Sequence, residues 1–199
     1  KRCGAPWLGM RLADIKDLDS ALVVGSFLRK DHPLIAQRLR QAAKKFTKVS
    51  LLSVSADDPL INLHARLTVA PARLAATLAA IVKGAAELKG SALPDGLEDI
   101  SVCETSKKIA QSLVDGEKRA VFLGNVATQS ADATQLHALA LELGKLTGAT
   151  VGFLGEGANT VGGYLSGALP KAANARQMFE QPRKAYVLMG VEPEFDCAN

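Results

Sequence analysis

Two short runs constrain this chain more than anything else in it. Residues 20–26 (SALVVGS) and 119–125 (RAVFLGN) are apolar on both sides of a strand's alternation, and each ends in glycine and a small polar residue. A strand buried on both faces reads this way, and such strands belong to parallel sheets covered by helices. Further runs follow the same pattern at 48–55 (KVSLLSVS), 65–70 (ARLTVA), 148–156 (GATVGFLGE) and 184–193 (KAYVLMGVEP). All are expected to be strands.

Helical stripes fill the intervals. After Asp31-His32-Pro33, with Asp31 as N-cap, Ile35, Leu39, Ala42, Ala43 and Phe46 recur at helical spacing. Leu74, Leu78, Ile81, Ala85 and Leu88 mark a helix over 71–89. Another is expected over 102–114, closed by Asp115-Gly116. Ser130 is the expected N-cap of a helix reaching Thr147 through Leu136, Leu139, Ala140, Leu143 and Leu146, and a short helix falls near 174–180. Strand–helix alternation of this kind predicts one doubly wound, mostly parallel α/β domain over 1–199, with helices on both faces. The stretch 90–99 (GSALPDGLED) is the candidate boundary between two halves.

In such sheets ligands bind beyond the carboxyl ends of the strands, where the strand order reverses. The ends in question are Gly25-Ser26, Ser55, Gly124-Asn125, Gly155-Glu156 and Gly190-Val191. The glycine-rich loop at 155–163 (GEGANTVGG) follows a strand, as a phosphate loop would. It departs from the dinucleotide fingerprint, because Thr160 stands where the third glycine belongs, and no lysine follows as in a P-loop. The sequence gives no clear helix start at the loop's end.

The remaining chemistry-bearing residues form no constellation. His32, His64 and His137 lie in different elements without triad or ligand spacing, and Asp57-Asp58 precedes Pro59 in ordinary turn chemistry. Cys3, Cys103 and Cys197 fit no metal or cluster spacing, and scattered thiols suit a reducing compartment. No catalytic or metal-binding residue is therefore expected. No apolar stretch approaches the roughly 20 residues that a membrane span needs. Residues 1–50 hold eleven Lys/Arg against four Asp/Glu, centred on Arg38, Arg40, Lys44, Lys45 and Lys48. That basic helix carries no interleaved aromatics and no nucleic-acid motif, so nucleic acid is not an expected partner.

The stretch GSFLRKDHPLIAQRLRQAAKK, with Gly25, Ser26, Arg29, Pro33, Leu34, Arg38 and Arg40, resembles the molybdopterin oxidoreductase superfamily. Within it, together with FLGEGANTVGGYLSGALP and AYVLMGVEPEFDCAN, the chain is most similar to the large iron–sulfur subunit of bacterial NADH–quinone oxidoreductase, respiratory complex I. The resemblance implies a Rossmann-like domain of the formate dehydrogenase/DMSO reductase type, cut from a longer subunit whose iron–sulfur clusters lie before Lys1. The missing initiator Met and the end just after an apolar run carry the same expectation. It further implies a scaffold that has kept the fold and lost the pterin, with electron transfer from NADH to quinone carried out elsewhere in the complex. Partners would be other subunits of the peripheral arm, at the cytoplasmic face of the bacterial inner membrane, with no direct membrane insertion. Phe27 and Leu28 stand where pterin-binding members carry Asn/Asp and Pro. The crevice candidates on this view are vestigial: Gly25, Ser26, Arg29, Asn125, Gly155 and Gly157. The alternative is a working domain that holds a pterin dinucleotide across Ser26, Asn125 and Gly155 to Gly157.

Overall fold

The apolar runs pair as parallel strands. In the structure, a computed structural model that describes residues 4–170 and 173–196, they are β1 (Ser20–Val24), β2 (Lys48–Ser53), β3 (Ala65–Thr68), β4 (Arg119–Leu123) and β5 (Thr150–Phe153). The order is β3-β2-β1-β4-β5, every pair parallel. Val23 stands between Leu51 and Phe122 in register. The chain builds outward from β1 to β3, then returns to add β4 on β1's other side. The order therefore reverses between β1 and β4. This is the doubly wound α/β fold that the alternating pattern predicts.

The helices are α1 (Leu28–Asp31), α2 (Pro33–Ala43), α3 (Leu74–Lys89), α4 (Glu104–Asp115), α5 (Asn125–Gln129), α6 (Ala133–Thr147), α7 (Thr160–Ser166), α8 (Ala175–Glu180) and α9 (Pro193–Asp196). Alternate strand residues point to opposite faces, so β1 feeds two cores. Leu22 and Val24 join Leu78, Ile81, Ile109, Leu113, Leu136 and Leu143 beneath α3, α4 and α6. Ala21 and Val23 join Ile15, Leu39, Val49, Leu51 and Phe122 beneath α2 and a 3-10 turn at Leu12–Asp17. The first layer is the thicker. Within it α3 packs against both α4 and α6.

Several local expectations change. Asp31 ends α1 rather than capping α2, since FLRKD has nothing to stop a helical turn before Pro33. Proline excludes its predecessor from the helical region, and His32 (φ −134°, ψ 57°) becomes the break. Ser130 closes α5, its hydroxyl donating to the Ala127 carbonyl at 3.2 Å, and α6 begins only after Asp132. The helix expected from residue 102 starts at Glu104, where the Cys103 sulfur accepts from the Ser106 N–H at 3.4 Å. Phe46 lies beyond α2, and both it and Leu88 are exposed.

The largest change is at 184–193, which is not a strand. No register pair of the sheet includes it. Tyr186 is held locally: its hydroxyl accepts from the Arg183 N–H at 2.7 Å and donates to the Met178 carbonyl at 2.9 Å, and its ring stacks on Phe179. The near edge of the sheet is taken, because the Phe153 N–H donates to the Trp7 carbonyl at 2.9 Å. Cys3 and Cys197 lie outside the described residues.

Candidate cofactor crevice

Beyond the ends of β1 and β4 the chain crosses itself at two glycines. Gly25 has φ +60°, a region open to glycine and strained for other residues. A side chain there would put its Cβ 2.6 Å from the Ala127 nitrogen. At Gly124 a Cβ would collide with Ser26. This closeness lets the Gly25 carbonyl accept from the N–H groups of Val126 (3.0 Å) and Ala127 (3.3 Å). These are the opening donors of α5, the groups that in a nucleotide site would face phosphate.

Ser26 is buried, and its hydroxyl lies 3.3 Å from His32 Nδ1, while His32 Nε2 lies 3.2 Å from the Gly155 carbonyl oxygen. A carbonyl only accepts, so Nε2 carries the proton and Nδ1 accepts from Ser26. His32, itself buried, thus ties the end of β1 to the loop after β5. Two shallow hollows lie on either side of this link. The first is lined by Ser26, Arg29, Lys30, Asp57, Asp58 and Arg66. Two of its five charges pair, Lys30 Nζ lying 3.0 Å from Asp57 Oδ2, and the Arg66 guanidinium donates to the Asp57 and Ala56 carbonyls. The lysine ammonium, and then the Ser55 hydroxyl, hold the Asp57 carboxyl below its ordinary range. The second hollow is lined by Leu8, Leu12, Ile35, Phe153, Gly155 and Gly157 and is largely apolar.

The six candidate residues are therefore only partly brought together. Ser26 and the exposed Arg29 line the first hollow and Gly155 and Gly157 the second, while Gly25 and Asn125 line neither. The glycine loop is exposed, and a helix does open at its end, since α7 begins at Thr160. The Gly157 N–H donates to Thr160 Oγ1 at 3.2 Å, a turn contact, and Gln129 Nε2 holds the Glu156 carboxylate at 2.5 Å. Two buried crevice atoms, Asn125 Oδ1 and Arg66 Nε, have no hydrogen-bond partner among the described residues. A pterin dinucleotide fits these residues poorly, because its phosphates need free N–H groups and those of Val126 and Ala127 in the first turn of α5 are spent on Gly25. Among the described residues no His/Cys/Asp/Glu group could hold a metal ion.

Sequence reasoning missed the His32 link and the Gly25–α5 closure. Asp31-His32-Pro33 flags a helix start, but nothing local points to a partner 123 residues away.

The family model for molybdopterin oxidoreductases matches residues 3–199. The chain belongs to the molybdopterin oxidoreductase family. No curated protein matches it. Among solved structures, a chain of the formyltransferase/hydrolase complex of Methylorubrum extorquens, crystallised with methylofuran, is similar with a TM-score of 0.51 and 16% identity. At that identity the likeness speaks for the fold alone. The alignment covers 82% of this chain and 46% of the other, so this molybdopterin oxidoreductase domain spans about half the length of the solved chain it matches.

Elsewhere on the molybdopterin oxidoreductase domain, Arg38, Arg40, Lys44 and Lys45 are exposed on and just after α2, and none forms an ion pair among the described residues. Among those residues no helix is long and apolar enough to cross a membrane.

Proposed function

We propose that this chain is a non-catalytic scaffold domain of the peripheral arm of NADH–quinone oxidoreductase, supporting electron transfer that other parts of the complex carry out. The observation that carries this reading is the closure of the crevice by the protein's own groups. The Gly25 carbonyl takes the N–H groups of Val126 and Ala127 in the first turn of α5, and His32 joins Ser26 to Gly155. The complex I assignment rests on the motif resemblance through Gly25, Ser26, Arg29, Pro33, Leu34, Arg38 and Arg40. On this reading the fragment holds no cofactor, and iron–sulfur clusters belong to the longer subunit. Its neighbours are other peripheral-arm subunits at the cytoplasmic face of the inner membrane, with the unpaired cations of α2 as one contact surface.

Metal and pterin analysis of the full-length protein tests this. Iron without stoichiometric molybdenum, tungsten or pterin is the expected result, and a full equivalent of either metal would sink the scaffold reading.

A second reading keeps a ligand in the crevice and is favoured by the unpartnered Asn125 Oδ1 and Arg66 Nε. It predicts that a guanine nucleotide at a hundred times its Kd adds about 2.7 kcal/mol to the stability of the isolated domain. The scaffold reading predicts no shift in melting temperature.

A further inference from the structure

The helices of this domain do not share their surface charge evenly. Each of α3, α4 and α6 carries both signs, and α4 and α6 hold ion pairs one turn apart, Lys107 with Glu104 and Lys145 with Glu142. Along α2 and the turn after it there are only cations, Arg38, Arg40, Lys44 and Lys45, with no Asp or Glu anywhere between Asp31 and Asp57. At helical spacing Leu34, Arg38, Gln41 and Lys45 make one exposed row, and Gln37, Arg40 and Lys44 the next. Leu34 is 76% exposed, and Phe46, which directly follows the last cation, is 63% exposed.

The fold explains only part of this surface. A helix dipole favours cations in the last turn, which accounts for Arg40, Lys44 and Lys45 but not for Arg38 or for a bare leucine one turn before it. Arg40 and Lys44 stand four residues apart, where like charges repel, and none of the four cations has an ion-pair partner among the described residues. The apolar side of α2 is already used, since Ala36, Leu39 and Ala42 are buried beneath it. A helix with no free apolar stripe cannot lie in a lipid surface, and a phosphate backbone would leave Leu34 in water. Carboxylates suit the rows better. Arginine presents a planar fork that holds a carboxylate by two hydrogen bonds, and Gln37 and Gln41 add neutral donors and acceptors between the cations. Leu34 and Phe46 ask for apolar neighbours, and only a protein face supplies all three kinds of contact.

We infer that the outer side of α2 docks on an acidic face of another protein subunit, where Asp and Glu carboxylates meet Arg38, Arg40, Lys44 and Lys45 and apolar residues cover Leu34 and Phe46. The inference rests on the scaffold reading only in that the chain works inside an assembly, and it specifies the chemistry of one neighbour. It does not depend on whether the crevice binds a cofactor. Lys48, which lines a separate hollow with Asp19, Asp115 and Glu117, marks where the purely cationic surface ends.

Carbodiimide coupling, which joins a lysine amine to a carboxylate in direct contact, tests it on the native protein purified with the subunits that stay bound to it. Mass spectrometry should find Lys44 and Lys45 joined to Asp or Glu of a different polypeptide. The yield should fall about tenfold in about 1 M salt, where the screening length is only about 3 Å. The double variant Arg38→Glu/Lys45→Glu should leave the melting temperature unchanged and weaken that subunit's association about a hundredfold, whereas Arg38→Lys/Lys45→Arg should keep it within about threefold. An assembled protein whose Lys44 and Lys45 couple to nothing outside their own chain would overturn the inference and leave the scaffold reading standing. A native protein that purifies alone would overturn both. Coupling only to a second copy of this chain also overturns the inference, as does binding to phosphatidylglycerol vesicles or duplex DNA that the charge-reversed variant loses.

Discussion

Asp19 joins two elements that are remote in sequence. Its Oδ2 accepts from the N–H groups of Glu117 (2.9 Å) and Lys118 (2.8 Å), and its own N–H donates to the Lys118 carbonyl at 2.7 Å. The starts of β1 and β4 are thereby pinned together. The two backbone donors, Lys118 first, hold the carboxyl below its ordinary value. A carboxyl with a depressed folded-state pKa stabilises the fold above the unfolded value, near about 3.9, and that stabilisation is lost as pH falls through the folded one. Asp19→Asn keeps an acceptor and removes the charge. It should therefore destabilise by about 1 kcal/mol at pH 7, a value reduced for the site's partial exposure. Urea titrations should show the gap between wild type and variant closing below about pH 4. A gap independent of pH would mean that the charge contributes nothing. Asp19 was not legible in the sequence, because its partners lie 98 and 99 residues away and no local pattern encodes them. Cys103 is a similar case: its spacing matches no metal-cluster pattern, and only the fold shows that it is the N-cap of α4.

At the scale of elements, most of the sheet was legible. Fully buried parallel strands leave an all-apolar signature, which β1 and β4 carry over nearly their whole length, whereas β2 is buried just as deeply with Ser50 and Ser53 among its residues. Element ends were less legible, since Ser130 and Asp31 are good N-caps by type and the chain uses neither as one. The crevice was legible as a place but not as a state. Glycine at 25 and 124 says that something approaches closely; only the fold says that it is the chain itself. Gly25→Val tests that closure. The variant combines left-handed backbone strain with a clash at the Ala127 nitrogen 2.6 Å away, and should cost about 2–4 kcal/mol. In a domain of this size that is a fall of the order of 10 °C in Tm. Ser26→Ala removes one hydrogen bond and should cost only about 1 kcal/mol. A Gly25→Val protein that melts with the wild type would mean β1 and α5 do not meet as described.

For the whole molecule, the unequal layers set the order in which it opens. On one face α3 buries ten residues, Leu74 to Ala86, between α4, α6 and the sheet. On the other, α2 buries only Ala36, Leu39 and Ala42, and its outer side carries unpaired cations. Burial of apolar surface is what a local opening must give up, so the thin layer should open first. Amides of β1, β4 and α3 should exchange only through global unfolding. Those of α2 should exchange faster by about tenfold or more, and those of α7, which buries nothing, near free-chain rates. Native-state hydrogen exchange reads this order directly, and α2 amides as slow as those of β1 would contradict it. The order bears on the crevice as well. His32 sits at the start of α2 and holds Ser26 to Gly155, so opening of the thin layer releases that link. The α5 closure by Gly25 rests instead on β1 and β4, strands buried over nearly their whole length. Loosening α2 therefore joins the two hollows without freeing the α5 donors, and Leu39→Ala, which unpacks α2 from beneath, should speed exchange of α2 while leaving the amides of Val126 and Ala127 protected.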